Sequence, residues 1–175
     1  AMRMLCSEAR VDMQKVRSGT LSDGDWMKLA RVLGPMANAP LYIDDTSGIT
    51  VTAMKSKLRN VKDLGFAVID YLGLMSSDRR IDNRVNEVSE ITRSIKVMAK
   101  ELGVPVICCA QLNRATDSRT DKRPMISDLR DSGNIEQDAD TILFLYLTSS
   151  RLRVCLEPKL SNQNLHILYH NHRDE

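Results

Sequence analysis

Two polar residues, Asp70 and Gln111, each follow a short apolar run of the kind that forms a buried strand. A carboxylate at the end of such a strand can hold the hydration shell of a Mg²⁺ ion beside a nucleotide phosphate. A glutamine at the end of a neighbouring strand can donate a hydrogen bond to the γ-phosphate and so report its presence. Each residue alone is compatible with a solvated turn, and it is the pair that predicts a phosphate site.

The strands that would position these residues are predicted from three apolar runs, 66–69, 106–110 and 141–147. Unbroken runs are typical of strands buried on both faces, as in parallel sheets. Between the first two runs, apolar residues recur every three or four positions over 83–102 and predict a long helix, at Val88, Ile91, Ile95, Met98 and Leu102. Strand, helix and strand in this order form a right-handed crossover with parallel strands. We therefore expect an α/β fold in which Asp70 and Gln111 meet at one sheet edge.

Other patterns predict shorter elements. The opening residues 1–9 predict the tail of a helix, and a second helix is expected from Ser22 to Met36, ended by Gly34-Pro35. The apolar triplet Leu41-Tyr42-Ile43 predicts a short strand, and the stretch from Thr50 to Lys62 predicts another amphipathic helix.

The end of the chain predicts two further strands, Leu152–Leu156 and Leu165–Tyr169, antiparallel at the sheet edge. If the second strand continues, His166, His170 and His172 share one face and could hold a metal ion. No carboxylate or cysteine completes such a set at a convincing spacing, so a surface histidine cluster is the alternative.

A long polar connection, residues 113–133, contains five basic residues interspersed with aspartates. Connections of this length without a pattern of their own are usually functional or disordered. Its end, Arg130-Asp131-Ser132-Gly133, could present a guanidinium and backbone N–H groups to a phosphodiester backbone. A solvated loop of mixed charge is the alternative, and the absence of interleaved aromatic residues argues against base stacking.

The composition excludes several classes of protein. The chain has 175 residues, of which 42% are hydrophobic and 27% charged, as in a globular protein. Its formal net charge of +2 means that a nucleic-acid surface would have to be a local patch. The longest apolar runs are far short of a membrane span, and no apolar signal core opens the chain. The four cysteines form no C-x-x-C pair and predict buried thiols in a reducing compartment, the cytoplasm.

From about Met2 to Tyr146, the chain resembles the C-terminal motor domain of the DnaB-type bacterial replicative DNA helicases. Several segments carry the resemblance. In order along the chain they include Leu41-Tyr42-Ile43-Asp44-Asp45-Thr46, Val68-Ile69-Asp70-Tyr71-Leu72-Gly73-Leu74-Met75, Asn83-Arg84 with 87–94, 99–102 with 104–106, Ala110-Gln111-Leu112-Asn113-Arg114, 121–124, and the run 127–133 with Ile135-Glu136-Gln137-Asp138-Ala139-Asp140. The resemblance implies a RecA-like P-loop NTPase core, an α/β fold with a mainly parallel sheet and helices on both faces.

The resemblance also implies roles for individual residues. Asp70 matches the Walker B aspartate that acts on the Mg²⁺ of bound ATP, and Gln111 matches the sensor glutamine that couples the γ-phosphate to the DNA-binding loops. Arg130, Asp131 and Gly133 match the loop that grips single-stranded DNA. The implied cofactors are ATP and Mg²⁺. The implied partners are single-stranded DNA, further copies in a homo-hexamer, a helicase loader and primase, with no membrane.

The sequence departs from the family pattern in two places. None of its eight glycines belongs to a G-x-x-x-x-G-K-S/T phosphate loop. The family segment that reaches the ATP of the neighbouring subunit matches Lys159-Leu160-Ser161-Asn162. Lys159 is therefore a predicted ATP contact. Ser161 stands where the family has its arginine finger.

These departures predict a partial motor domain over residues 1–147, truncated on its N-terminal side, followed by a divergent tail over 148–175. We expect the chain alone to be catalytically inactive. The alternative function is a non-catalytic module that binds single-stranded DNA or poisons a full-length ring. A recombination mediator of the same superfamily is disfavoured by the specific run from Leu129 to Asp140.

Overall fold

The computed structural model describes residues 2–112, 119, 123–132, 135–148, 151–158 and 165–170. The chain divides into two compact units, Ala1–Asp45 and Thr46–Glu175. No helix within the described ranges is long and apolar enough to cross a lipid bilayer.

The first unit is helical, with α1 at Met2–Ala9, α2 at Met13–Ser18 and α3 at Asp23–Ala37. Its small core is formed by Ala9, Val11 and Leu29. A capping box starts α3, because Ser22 accepts a hydrogen bond from the Asp25 backbone N–H at 3.2 Å while the Asp25 carboxylate accepts from the Ser22 backbone. The helix therefore begins where the sequence predicts.

The helix runs to Ala37, within one residue of its expected end at Met36. Gly34-Pro35 do not break it, because the Gly34 carbonyl accepts hydrogen bonds from both the backbone and the side-chain amide of Asn38 and the last turn is kept. One prediction for this unit is wrong. Leu41, Tyr42 and Ile43 do not form a strand, and they are 55%, 73% and 68% exposed. A strand requires a paired neighbour, and every regular element described in residues 2–45 is a helix.

The second unit contains a five-stranded sheet in the order β1-β2-β5-β3-β4. The strands are β1, Ala67–Ile69; β2, Val106–Gln111; β3, Thr141–Thr148; β4, Arg151–Pro158; and β5, Leu165–His170. Pairing is parallel between β1 and β2, β2 and β5, and β5 and β3, and antiparallel only between β3 and β4. The predicted α/β fold with a mainly parallel sheet is confirmed.

The prediction for the end of the chain is half right. The strand β4 is the antiparallel edge strand, as expected. The run Leu165–Tyr169 is not at the edge, since β5 lies between β2 and β3 and is parallel to both. Spatial order in a sheet depends on which backbones pair over long distances along the chain, and a local apolar pattern does not record it.

The helices of this unit are α4 at Val51–Arg59, α5 at Arg84–Leu102 and α6 at Ile135–Asp138, together with 3₁₀ helices at Leu72–Leu74 and Ile126–Ser132. The predicted helix from Thr50 to Lys62 is shorter than expected, since Thr50 caps its start and Asn60 ends it.

Helix α5 matches its prediction closely. Asn83 caps the start by accepting a hydrogen bond from the Val85 N–H at 2.8 Å, and Gly103 ends the helix in the left-handed conformation, with φ +66°. Ile91, Ile95 and Met98 are buried in one core with residues of β1, β2 and β3. This packing makes α5 the crossover between β1 and β2.

Removing the Ile95 side chain tests how far the fold depends on this packing. Ile95 is 0% exposed, so Ile95→Ala leaves a cavity and is expected to lower the free energy of unfolding by about 2–5 kcal/mol in urea denaturation. The matched variant Val97→Ala removes atoms from a side chain on the same helix that is 49% exposed. It should change stability by less than about 0.5 kcal/mol, and equal losses in the two variants would contradict the assignment.

Acidification is expected to weaken the start of α3. Hydrogen bonds from Ser22, and secondarily Lys15, hold the pKa of the Asp25 carboxyl below its ordinary value of 3.8. Because the folded pKa is the lower one, the stabilisation is complete above the unfolded pKa and is lost as pH falls from about 4 through the folded value.

The single tryptophan, Trp26, adjoins Asp25 and reports this transition by fluorescence. Denaturation followed at pH 5 and pH 3 should show a loss of stability that Asp25→Asn removes. Asp23→Asn, in the same first turn, should keep the pH dependence.

Candidate functional site

Asp70 and Gln111 lie at the same edge of the sheet. Asp70 directly follows β1 and Gln111 is the last residue of β2, and the two strands are parallel neighbours with Ile69 opposite Cys108. Asp70 thus stands level with Cys109, and Gln111 lies two residues further along, about 7 Å at the rise of a strand. Both side chains are exposed. The structure therefore brings together the two residues that the sequence paired.

The negative charge of Asp70 is close enough to β2 to act on a neighbouring thiol. The pKa of Cys109 is raised above its ordinary value, first by partial burial and second by the negative charge of Asp70. Burial also raises the pKa of Cys108, which is 1% exposed. Both thiols stay protonated near neutral pH, so neither is suited to act as a nucleophile or a metal ligand. All four cysteines are free, as the sequence predicts.

The segment after Asp70 is held by α5. The Arg84 guanidinium donates to the Gly73 carbonyl at 2.8 Å and to Glu87 at 2.6 Å, and Glu87 accepts from the Ser77 backbone N–H at 3.2 Å. Hydrogen bonds from Arg84 and Ser77 hold the pKa of Glu87 below its ordinary value, so it stays ionised. A Cβ at Gly73 would collide with the Tyr71 ring in its present position, so a larger residue there would require the ring to move.

Arg84 and Glu87 were not predicted to contribute to the site. The available signal was their spacing of three residues at the start of a helix, which allows an ion pair and a first-turn carboxylate. The sequence could not show that this pair reaches back to the segment that follows Asp70.

The predicted DNA-contacting residues begin in the 3₁₀ helix Ile126–Ser132, which contains Arg130 and Asp131. The side chains of these two residues, and Gly133, lie outside the described part of the structure. What the structure describes is the support on either side of segment 130–134. Leu129 and Ile135 are 2% and 1% exposed and belong to the same core as α5.

A buried carboxylate, Asp128, forms hydrogen bonds just before segment 130–134. Asp128 is 8% exposed and accepts hydrogen bonds from the Arg119 guanidinium at 2.5 Å and from the Met125 backbone N–H at 2.8 Å. Arg119 comes from the polar connection that the sequence singled out, and this cation is paired with Asp128 within the protein.

Other predicted site residues are not placed. Lys159 and His172 lie outside the described residues, as do the side chains of His166 and His170, whose backbones belong to β5. Among the residues that are described, no three histidines, cysteines or carboxylates are grouped to hold a metal ion. The role of Lys159 stays a prediction.

A cleft of about 350 Å³ lies elsewhere in the second unit, between α4 and α5. Its polar lining includes Asp78, which accepts a hydrogen bond from the Thr52 hydroxyl at 2.8 Å. Neither Asp70 nor Gln111 lines it. The cleft is therefore separate from the paired residues at the sheet edge.

Comparison with known proteins gives consistent matches. The family described as DnaB-like helicase C terminal domain matches residues 1–173. The replicative DNA helicase DnaB of Geobacillus stearothermophilus is 52% identical over 149 residues, and DnaC of Bacillus subtilis is 51% identical over 149. Each alignment covers 83% of this chain and 33% of the relative, so the chain spans about a third of these relatives.

Two solved structures have the same fold. The ATPase domain of G40P superposes with a TM-score of 0.84 at 36% identity, covering 90% of this chain and 61% of that one. A DnaB-like replicative helicase, studied with its interactions with primase, superposes with a TM-score of 0.79 at 33% identity, covering 95% of this chain and 48% of that one.

The mainly parallel sheet, the order of its elements and these matches agree on a RecA-like α/β fold. The chain belongs to the DnaB-like helicase C-terminal domain family.

Proposed function

We propose that this chain forms part of the motor of a replicative DNA helicase, which uses ATP hydrolysis to move along single-stranded DNA and unwind the duplex at the replication fork. The observation that carries the proposal is the meeting of Asp70 and Gln111 at the carboxyl edge of two parallel strands. This is the edge at which α/β folds bind their ligands, and the relatives that share the sequence are replicative helicases.

The edge fits Mg²⁺ and ATP. Asp70 offers exposed carboxylate oxygens, the ligand type that Mg²⁺ prefers, and a single carboxylate suits an ion that keeps several of its waters. The ion, when bound with ATP, neutralises charge on the phosphates. In this proposal Asp70 orients the hydration shell, and the Gln111 amide donates to the γ-phosphate and responds to its loss. Arg84 and Glu87 keep the segment behind Asp70 in place.

The remaining contacts belong to the same proposal. Arg130, Asp131 and Gly133 hold the sugar-phosphate backbone of single-stranded DNA, and Lys159 approaches ATP. Six copies form the ring, a loader and primase are its protein partners, and the cytoplasm is its compartment. The 175 residues contain no G-x-x-x-x-G-K-S/T loop. We therefore propose that the chain by itself does not hydrolyse ATP.

A second candidate is a non-catalytic module that binds single-stranded DNA or poisons a full-length ring. Two observations favour it. The residues on either side of segment 130–134, Leu129 and Ile135, are buried in the core. The 175 residues contain no phosphate loop.

Replacing Asp70 by Asn in a chimaera tests the motor proposal. The region of the Geobacillus stearothermophilus helicase that aligns with this chain is exchanged for the residues of this chain, and phosphate release is measured with and without single-stranded DNA. The chimaera should hydrolyse ATP, and Asp70→Asn should lower the rate about a hundredfold, since the group that orients the metal's shell is lost.

Asp82→Asn is the matched control, because the Asp82 side chain is 97% exposed and its ion pair with Arg80 is long, at 3.9 Å. It should leave the rate unchanged. Full turnover in the Asp70→Asn chimaera would contradict the proposed role, and turnover by the 175-residue chain alone would contradict its inactivity.

Arg130→Ala tests the DNA contact in the chain itself. A guanidinium that pairs with one phosphate contributes to affinity through counterion release. Fluorescence anisotropy with a labelled oligothymidylate should show weaker binding in the variant and a shallower dependence on salt, by about one unit of slope.

Arg80→Ala removes an equally large cation whose side chain is 96% exposed, and it should leave affinity and salt slope unchanged. Equal losses in both variants would mean that binding is a diffuse charge effect. An unchanged affinity in Arg130→Ala would remove Arg130 from the proposed DNA contact.

A further inference from the structure

Helix α5 contacts the chain beyond segment 130–134 at two points. The Thr92 hydroxyl lies 2.9 Å from a carboxylate oxygen of Asp138, 46 residues away along the chain. One turn further along α5, the Lys96 ammonium forms an ion pair with Asp140. Neither pair was predicted from the sequence, and the proposed function uses neither. We call these four residues, Thr92, Lys96, Asp138 and Asp140, the polar clasp.

The polar clasp is withdrawn from solvent. Thr92 is 1% exposed and Asp140 is 3% exposed, while the Lys96 side chain retains 15% exposure. An ion pair shielded in this way is screened little by salt, and removing one partner leaves the other charge buried. The Thr92 hydroxyl is also 3.0 Å from the Ser89 carbonyl, so its single proton is shared between two acceptors.

The polar clasp joins α5 to helix α6 and to Asp140, which follows it. Helix α6 is four residues long, Ile135–Asp138, too short to be stable on its own. Ile135 and Ala139 are 1% and 3% exposed and pack in the core, but apolar contacts set position more than orientation. Thr92 and Lys96 are four residues apart on one face of α5, and two contacts from one face define an orientation.

The other face of α5 packs beneath the paired residues of the sheet edge. Ile91, Ile95 and Met98 belong to one core with Ile69, which precedes Asp70, and with Val106 and Cys108 of β2, the strand that ends in Gln111. The same helix therefore contacts both strands of the proposed nucleotide edge and the element that follows the proposed DNA loop.

We propose that the polar clasp fixes α6, the helix that follows the proposed DNA loop, relative to the edge that carries Asp70 and Gln111, so that Thr92 and Lys96 are positioning residues for DNA binding. The assignment rests on the proposed function for its consequence in DNA affinity. Its structural content, the local order of α6, can be measured without DNA.

The first arm of the test measures local order without DNA. The Ala139 amide donates to the Ile135 carbonyl at 3.0 Å and reports α6 directly. In Thr92→Val, which keeps the shape of the side chain and removes its hydroxyl, hydrogen exchange at Ala139 should quicken about tenfold to a hundredfold, as expected for loss of one hydrogen bond to a charged group. Exchange at Gly103, at the end of α5, should not change, and Thr92→Ser should restore protection.

The second arm measures DNA affinity in the same 175-residue chain. Lys96→Met should weaken binding to a labelled oligothymidylate about tenfold, through loss of order in α6 and not through loss of a phosphate contact, so the salt slope stays constant. Lys100→Met is the matched control, since Lys100 is exposed on the same helix. If Lys96→Met unfolds the chain, Thr92→Val takes its place in this arm.

The outcomes separate this inference from the proposed function. Unchanged exchange at Ala139 in Thr92→Val overturns the polar clasp, whatever the chain does with DNA. Faster exchange at Ala139 together with an affinity that only Arg130→Ala lowers overturns the positioning role. Faster exchange in a chain that binds no DNA in any form overturns the DNA contact while the local ordering by the polar clasp stands.

Discussion

The parallel pairing of β1 and β2 is the constraint on which the rest of the second unit depends. It places Asp70 and Gln111 at one edge, and it exists because α5 returns the chain across the sheet and packs there through Ile91, Ile95 and Met98. A parallel pair cannot be joined by a tight turn, so the burial of this helix face stabilises both the fold and the proposed site. Substitutions on the buried face of α5 are therefore expected to affect Asp70 and Gln111 without contacting them.

Polar contacts then refine what this apolar packing sets up. Arg84 and Glu87, at the start of α5, form hydrogen bonds to the segment that follows Asp70. Asp128, which precedes segment 130–134, accepts a hydrogen bond from Arg119. These contacts are few and join parts that are distant along the chain. Apolar burial supplies most of the stability of a domain of this kind, while hydrogen bonds between charged groups select one arrangement of the loops.

The local sequence pattern predicted the helices and strands better than it predicted which strands lie next to each other. The helix α5, the strands β1 to β3 and the pairing of Asp70 with Gln111 follow from apolar periodicity and the crossover rule, which depend on nearby residues alone. The place of β5 inside the sheet, and the absence of a strand at Leu41–Ile43, depend on which backbones pair, and periodicity carries no record of that. The contact between Thr92 and Asp138 spans 46 residues and left no local signal.

Coupling between a nucleotide site and a DNA site requires an element whose position both sites can bias. Among the described elements, α5 meets this requirement: its apolar face lies under β1 and β2, and its polar face holds Asp138 and Asp140. If Gln111 responds to the γ-phosphate as proposed, a shift of α5 would be passed to α6 through the polar clasp, which joins the two helices at Asp138 and joins α5 to Asp140 beyond α6. The proposed coupling then needs no direct contact between Gln111 and the DNA loop, since the helix between the two strands connects them.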